Sequence, residues 1–175
     1  MITNMNDSGK TSQPATTPIE NALAIALSAH QGQKDKAGAP YILHPLRVML
    51  RMQTELEMIA AVLHDVVEDS TITLDELRAK GIPETALAAI DALTRREGEE
   101  YGDFILRAKQ NDVARKVKLA DLEDNLDVGR IAHPTARDKV RLDKYRQARA
   151  ALLPPHSAPL PAGKHGADGL KWGSS

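Results

Sequence analysis

The chain has 175 residues, with 23 Lys and Arg against 24 Asp and Glu and no Cys. That length suits one ordinary domain with a real core, and the balanced charge supplies no global field for nucleic acid or an anionic membrane surface. The absence of Cys excludes disulfides and zinc-thiolate centres. No apolar run approaches the ~20 residues of a membrane span, and the segment from Met1 to Pro18 is polar rather than signal-like, so a cytoplasmic setting is expected, with no nucleic-acid or membrane partner.

Apolar positions recur at helical rather than alternating spacing and aromatic content is only 3%, which predicts an all-α domain. Thr17-Pro18-Ile19-Glu20 combines a Thr cap, Pro in the first turn and Glu at the third position, and starts a helix running to about His30. Gly32, Gly38 and Pro40 make the following stretch a loop, and His44-Pro45 opens a second helix. Thr54-Glu55-Leu56-Glu57 repeats the capping signature. The third helix is expected to carry Leu56, Ile59, Ala60, Leu63 and Val67 on its apolar stripe and to bear the His64-Asp65 pair.

Thr73 starts a short helix that Gly81 ends, and Pro83 starts another reaching about Leu93. Tyr101 to Lys109 and Val113 to about Val128 have helical spacing, and Pro134 to Leu153 forms the last helix before Pro154-Pro155. The expected organisation is a mobile tail over 1–17, a helical domain over 18–153 with about seven to eight helices, and a mobile, Pro, Gly and Ser-rich tail over 154–175. There is no internal repeat, glycine-rich phosphate loop or Gly-x-Ser-x-Gly elbow.

The chemistry sits in two of these helical segments. His64-Asp65, with Glu68-Asp69 one turn later, interrupts an apolar run at Ala60-Ala61-Val62-Leu63, where charges without partners would be costly. In the second segment, Val113, Val117, Ala120 and Asp121 share a helical face, with Asn125 one turn after Asp121. Singly, each has a plain reading as a paired carboxylate or a hydrogen-bonded core histidine. Together, His44, His64, Asp65 and Asp121 supply two imidazoles and two carboxylates from three helices, a set suited to a six-coordinate divalent ion with two open positions. Cations for a phosphorylated substrate are also present: Lys34 and Lys36 before His44, Arg47 after it, Lys118, and Arg95-Arg96 at the end of another helix.

Tyr41-Ile42-Leu43-His44-Pro45, Ala61-Val62-Leu63-His64-Asp65-Val66-Val67-Glu68-Asp69 and Val117-Lys118-Leu119-Ala120-Asp121 resemble the motifs of the HD phosphohydrolase superfamily. They are most similar to the small alarmone hydrolases and the hydrolase domain of the stringent-response synthetase/hydrolases, over about Ala22 to Leu153. The resemblance implies a single helical HD domain holding one manganese ion through His44, His64, Asp65 and Asp121, with Glu68 and Asp69 orienting or deprotonating the attacking water. It implies a small nucleotide as substrate, hydrolysis of the 3′-pyrophosphate of guanosine tetra- or pentaphosphate with release of pyrophosphate, Lys34 as a phosphate contact and Asn125 as a lining residue of the nucleotide site. Gln33 stands where the family often has an arginine stacked on guanine, and Val128 where a small hydroxyl residue is common, so an adenosine analogue or another phosphate ester enters as an alternative substrate. A phosphatase releasing orthophosphate and a non-catalytic nucleotide sensor are the other readings.

Overall fold

The computed structural model describes residues 16–127 and 135–154, and among them every regular element is a helix. In chain order these are α1 (Pro18–Ala29), α2 (Leu43–Met49), α3 (Glu55–Val62), α4 (Val66–Asp69), α5 (Leu74–Ala79), α6 (Glu84–Leu93), α7 (Tyr101–Lys109), α8 (Asp112–Asn125) and α9 (Ala136–Leu152). The all-α expectation holds. Among the described residues no helix is long and apolar enough to cross a membrane.

Helix starts follow the side-chain chemistry read from the sequence. Thr17, Thr54 and Thr73 each accept from the backbone N–H three residues on, while Glu20, Glu57 and Glu76 return the bond to the cap residue. Thr135 and Asp138 repeat the arrangement at α9. Gly81, at φ +83°, ends α5: its N–H reaches the Arg78 carbonyl while that of Ile82 reaches Leu77.

The expected third helix is broken, so the described residues hold nine helices where about seven to eight were expected. Helix α3 stops at Val62, Leu63 to Asp65 form a turn, and α4 begins at Val66, so the His-Asp pair lies between helices rather than on one. The cause is local. His64 Nδ1 donates to the Ala61 carbonyl at 2.7 Å, taking the acceptor that a continuing helix would offer to the Asp65 amide. The apolar stripe itself packs as expected: Ile59, Ala60 and Leu63 are buried, and Leu56 and Val67 lie partly buried against them. Helix α8 also stops early, at Asn125, and the expected end at Val128 falls outside the described residues.

Two apolar clusters form the interior. The larger joins α1, α2, α3, α5, α6 and one face of α8 through residues such as Ile25, Val48, Ile59, Ile90 and Val117. The smaller joins α7, α9 and another face of α8 through Phe104, Ile105, Leu122, Ala148 and Leu152. Helix α8 serves both, and Asp121 on it is buried at their seam.

Glu57 couples a helix cap to this packing. It is 4% exposed, accepts from the Gln53 and Thr54 amides at 3.0 and 3.2 Å, and pairs with Lys116 of α8. Lys116 and the cap amides hold its carboxyl below the ordinary range despite burial. A carboxyl lowered on folding adds stability above its unfolded pKa and loses it as pH falls through the folded value. Glu57→Ala is therefore expected to cost about 1–3 kcal/mol in urea unfolding at pH 7, with the gap to wild type shrinking progressively below about pH 4. An undiminished gap at pH 2 would refute the assignment.

Candidate metal centre

Three separate parts of the chain deliver the chemistry to one point. His44 lies in the first turn of α2, His64 and Asp65 in the turn after α3, and Asp121 on α8. The hydrogen bonds behind the imidazoles decide what faces inward. His64 Nδ1 must be the donor to the Ala61 carbonyl, and His44 Nδ1 donates to Asp124 Oδ2 at 2.7 Å, so each ring turns a bare Nε2 lone pair to the site. Those lone pairs meet further acceptors. His44 Nε2 lies 3.2 Å from Asp121 Oδ1 and 3.7 Å from Asp65 Oδ2, and His64 Nε2 lies 2.9 Å from Asp65 Oδ2 and 3.8 Å from Asp121 Oδ1.

Facing acceptors repel unless positive charge lies between them. His64 Nε2 is buried with no hydrogen-bond partner, the orphaned atom that a bound cation would satisfy. The donor atoms of His44, His64 and Asp121 lie within 4.8 Å of one another, close to the span set by an ion about 2 Å from each. The same demand appears in protonation. Burial alone would lower the pKa of His64, but Asp65 and Asp121 reverse this and push it up to about 10. Two imidazole nitrogens with carboxylate oxygens suit a first-row divalent ion, and the residues fit that group.

Neighbouring donors hold the carboxylates in place. Tyr41 Oη donates to Asp65 Oδ2, and Asn125 Nδ2 donates to both the carbonyl and the carboxylate of Asp121. Lys118 Nζ lies 2.7 Å from Asp121 Oδ2 and 5.1 Å from the centre of the Phe104 ring. Burial penalises both charges of that pair. Their attraction nonetheless holds Asp121 well below the usual carboxylate range and Lys118 above the usual amine range.

The cluster forms one wall of a cleft of about 370 Å³, which Glu68, Asp69 and Lys118 also line. A second cavity of about 310 Å³, carrying Lys34 and Lys36, adjoins it. The two share Tyr41, His44, Asn125, Arg141 and Tyr145. Partial burial raises both Glu68 and Asp69 from the ordinary carboxylate range, and the Asp65 charge adds to the effect. Glu68 accepts from the Arg95 amide.

Of the residues singled out in the sequence, His44, Asp65, Asp121, Glu68, Asp69, Lys118, Asn125 and Lys34 all line this pair of cavities, and His64 lies buried behind them with Nε2 2.9 Å from Asp65 Oδ2. Two expected phosphate cations are engaged elsewhere: Arg47 clamps Asp124 and Arg96 faces Asp91 at 3.7 Å. Arg95 lines the cleft, its guanidinium donating to the neutral Glu99 carbonyl. Gln33 lines neither cavity: its amide bridges His30 Nδ1, at 2.8 Å, and the Asp69 carbonyl, at 3.2 Å. Sequence reasoning missed Asp124, which the i,i+3 spacing from Asp121 places on the same helical face. It also missed Arg141 and Tyr145, one turn apart on α9, because that helix is largely solvent-exposed and gives no periodic signal.

No family model matches the chain. It is 30% identical over 128 residues to a guanosine-3′,5′-bis(diphosphate) 3′-pyrophosphohydrolase of Vibrio cholerae, covering 65% of this chain and 18% of that protein. It is 33% identical over 121 residues to the protein of the same name from Aquifex aeolicus, covering 62% and 17%. A GTP pyrophosphokinase of Streptomyces coelicolor is 35% identical over 111 residues, covering 61% and 12%. The chain thus spans less than a fifth of the length of these relatives. Among solved structures, one described as a metazoan ortholog of SpoT that hydrolyzes ppGpp matches with a TM-score of 0.65 and 22% identity, covering 81% of this chain and 88% of that one, a likeness of fold.

Binding of a divalent ion to the folded state alone raises stability by mass action, by about 2.7 kcal/mol at a hundredfold excess over Kd. Mn²⁺ is therefore expected to raise the melting temperature of the wild-type protein in a dose-dependent way and to leave His64→Ala unmoved. Equal responses from both proteins would remove His64 from the site.

Proposed function

We propose that this chain, a relative of the HD-domain 3′-pyrophosphohydrolases, is a metal-dependent phosphohydrolase that removes the 3′-pyrophosphate of guanosine tetra- or pentaphosphate or of a closely related 3′-pyrophosphorylated nucleotide. The observation that carries this is the convergence of two imidazole lone pairs and two carboxylate oxygens at the wall of a cleft that also holds an acidic pair and, next door, lysines.

His44, His64, Asp65 and Asp121 would hold the ion, with manganese the identity the motifs suggest. When bound, it supplies positive charge beside the scissile phosphorus and acidifies water at the centre. Glu68 and Asp69 project from the short helix α4 directly after Asp65. Their raised pKa values make them better proton acceptors than free carboxylates, so they orient the attacking water and take its proton. Lys34 and Lys36, in the adjoining cavity, neutralise phosphate oxygens away from the reacting centre. Lys118 lines the cleft while paired with Asp121, so it stabilises that carboxylate and offers its remaining N–H groups to the substrate. Asn125 holds Asp121 and lines both cavities. Beyond that proton transfer, the reaction needs positioning and charge compensation around an in-line displacement.

One observation favours a second reading of substrate choice. Gln33 is engaged by His30 and the Asp69 carbonyl and lines neither cavity, so it makes no stacking contact with a base. That is compatible with an adenosine analogue, or with a nucleotide or cofactor phosphate released as orthophosphate.

The Mn²⁺-loaded protein is expected to release pyrophosphate from guanosine 3′,5′-bis(diphosphate). Glu68→Gln and Asp69→Asn should each lower kcat by about 10²–10⁴-fold while leaving Mn²⁺ affinity intact. Anion analysis decides the class: orthophosphate alone supports the phosphatase reading, and nucleotide binding without any anion released would make the chain a sensor.

A further inference from the structure

His44 is gripped from both sides by one helix. On α2, His44 and Arg47 are three residues apart and share a face, as do Asp121 and Asp124 on α8. The imidazole therefore meets α8 twice: Nε2 approaches Asp121 Oδ1 at 3.2 Å and Nδ1 donates to Asp124 Oδ2 at 2.7 Å. Asp124 is itself fixed. Arg47 donates through Nε to Oδ1 at 2.8 Å and through Nη2 to Oδ2 at 3.0 Å, a two-point fork that prevents rotation of the carboxylate. Asp124 is 2% exposed.

We infer that Arg47 and Asp124 are positioning residues that act through His44: the Arg47 fork locks Asp124, and Asp124 locks the imidazole with its proton on Nδ1 and its Nε2 lone pair aimed at the metal point. A histidine free to rotate or to exchange tautomers would present a donor to the ion for part of the time and a lone pair only for the rest. The carboxylate behind the ring removes that ambiguity and strengthens Nε2 as a ligand, and the arginine keeps the carboxylate from swinging away. The arrangement explains why Arg47, read from the sequence as a phosphate contact, spends its charge on α8 instead.

This inference rests on the metal reading of the site and is independent of the substrate. The experiment is a calorimetric titration of MnCl₂ into full-length protein in the absence of nucleotide. Arg47→Met and Asp124→Asn are each expected to weaken Mn²⁺ affinity by about 10–100-fold. The double variant should bind no more weakly than Asp124→Asn alone, because Arg47 acts only through Asp124. At saturating Mn²⁺ the KM for the nucleotide should be unchanged in Arg47→Met. Folded Arg47→Met with wild-type Mn²⁺ affinity would overturn the inference, as would losses that add in full in the double variant. A raised KM at unaltered Mn²⁺ affinity would overturn it too, making Arg47 a substrate contact. If Asp124→Asn does not fold, Arg47→Met alone decides. A protein that binds Mn²⁺ and releases no anion leaves the titration fully informative, whereas one that releases pyrophosphate with unaltered Mn²⁺ affinity in Arg47→Met sinks the positioning role alone.

Discussion

Electrostatic frustration at the centre of the bundle governs the rest of this structure. Two histidine nitrogens and two aspartate carboxylates point at one another, and only positive charge between them, a proton on His64 Nε2 or a bound cation, removes the repulsion. The surrounding donors offset part of it. Lys118 neutralises one oxygen of Asp121, Tyr41 donates to Asp65, and Arg47 balances Asp124. Asp121 and Asp124 thus have cationic partners, whereas the hydroxyl that donates to Asp65 is neutral and leaves that negative charge at the centre. A divalent cation reverses that sign, which is the condition a polyanionic substrate needs at close range.

The backbone serves this convergence in a way a continuous helix cannot. Successive residues of an α-helix diverge by about 100° around the axis, so adjacent His64 and Asp65 on one helix would leave it in different directions. The turn from Leu63 to Asp65 brings His64 Nε2 within 2.9 Å of Asp65 Oδ2. Helix α8 supplies the opposite side. Its Val117 and Ala114 pack into the larger cluster and its Leu122 into the smaller, so Asp121 is held at the seam by apolar packing on both flanks.

How much of this could be read beforehand divides along physical lines. Helix starts were legible because capping is local: Thr17 with Glu20, Thr54 with Glu57 and Thr73 with Glu76 write their own geometry into four residues. The candidate cluster was legible because polar side chains in an apolar run need partners, and the motifs' resemblance supplied the register between distant segments. The break at His64 was not, because periodicity continues through Leu63 and Val67 and only the competing bond to the Ala61 carbonyl ends the helix. Nor could the fate of Arg47 be read: a cation beside a phosphate site and a cation clamping a carboxylate on another helix look identical until tertiary structure places Asp124 opposite it.

Attraction of the proposed substrate would have to be local, since the chain as a whole is nearly neutral, with 23 basic and 24 acidic residues. The loop carrying Lys34 and Lys36 is ordered by its own hydrogen bonds. Asp35 Oδ1 accepts from the amides of Ala37 and Ala39, each at 2.9 Å, while its own amide donates to the Ala39 carbonyl at 2.8 Å. Lys34 pairs across to Pro40, and Gly38 takes the φ of +84° that the reversal requires. An exposed lysine ordinarily loses much of its Coulombic gain to the entropy of fixing a long side chain and to screening. Here the backbone beneath both lysines is fixed in advance, and the cavity they line shares His44 with the metal point. On the proposed reading, a nucleotide held by that loop would be tied in register to the group presented at the centre, which would make the tight turn at Asp35 a part of the site.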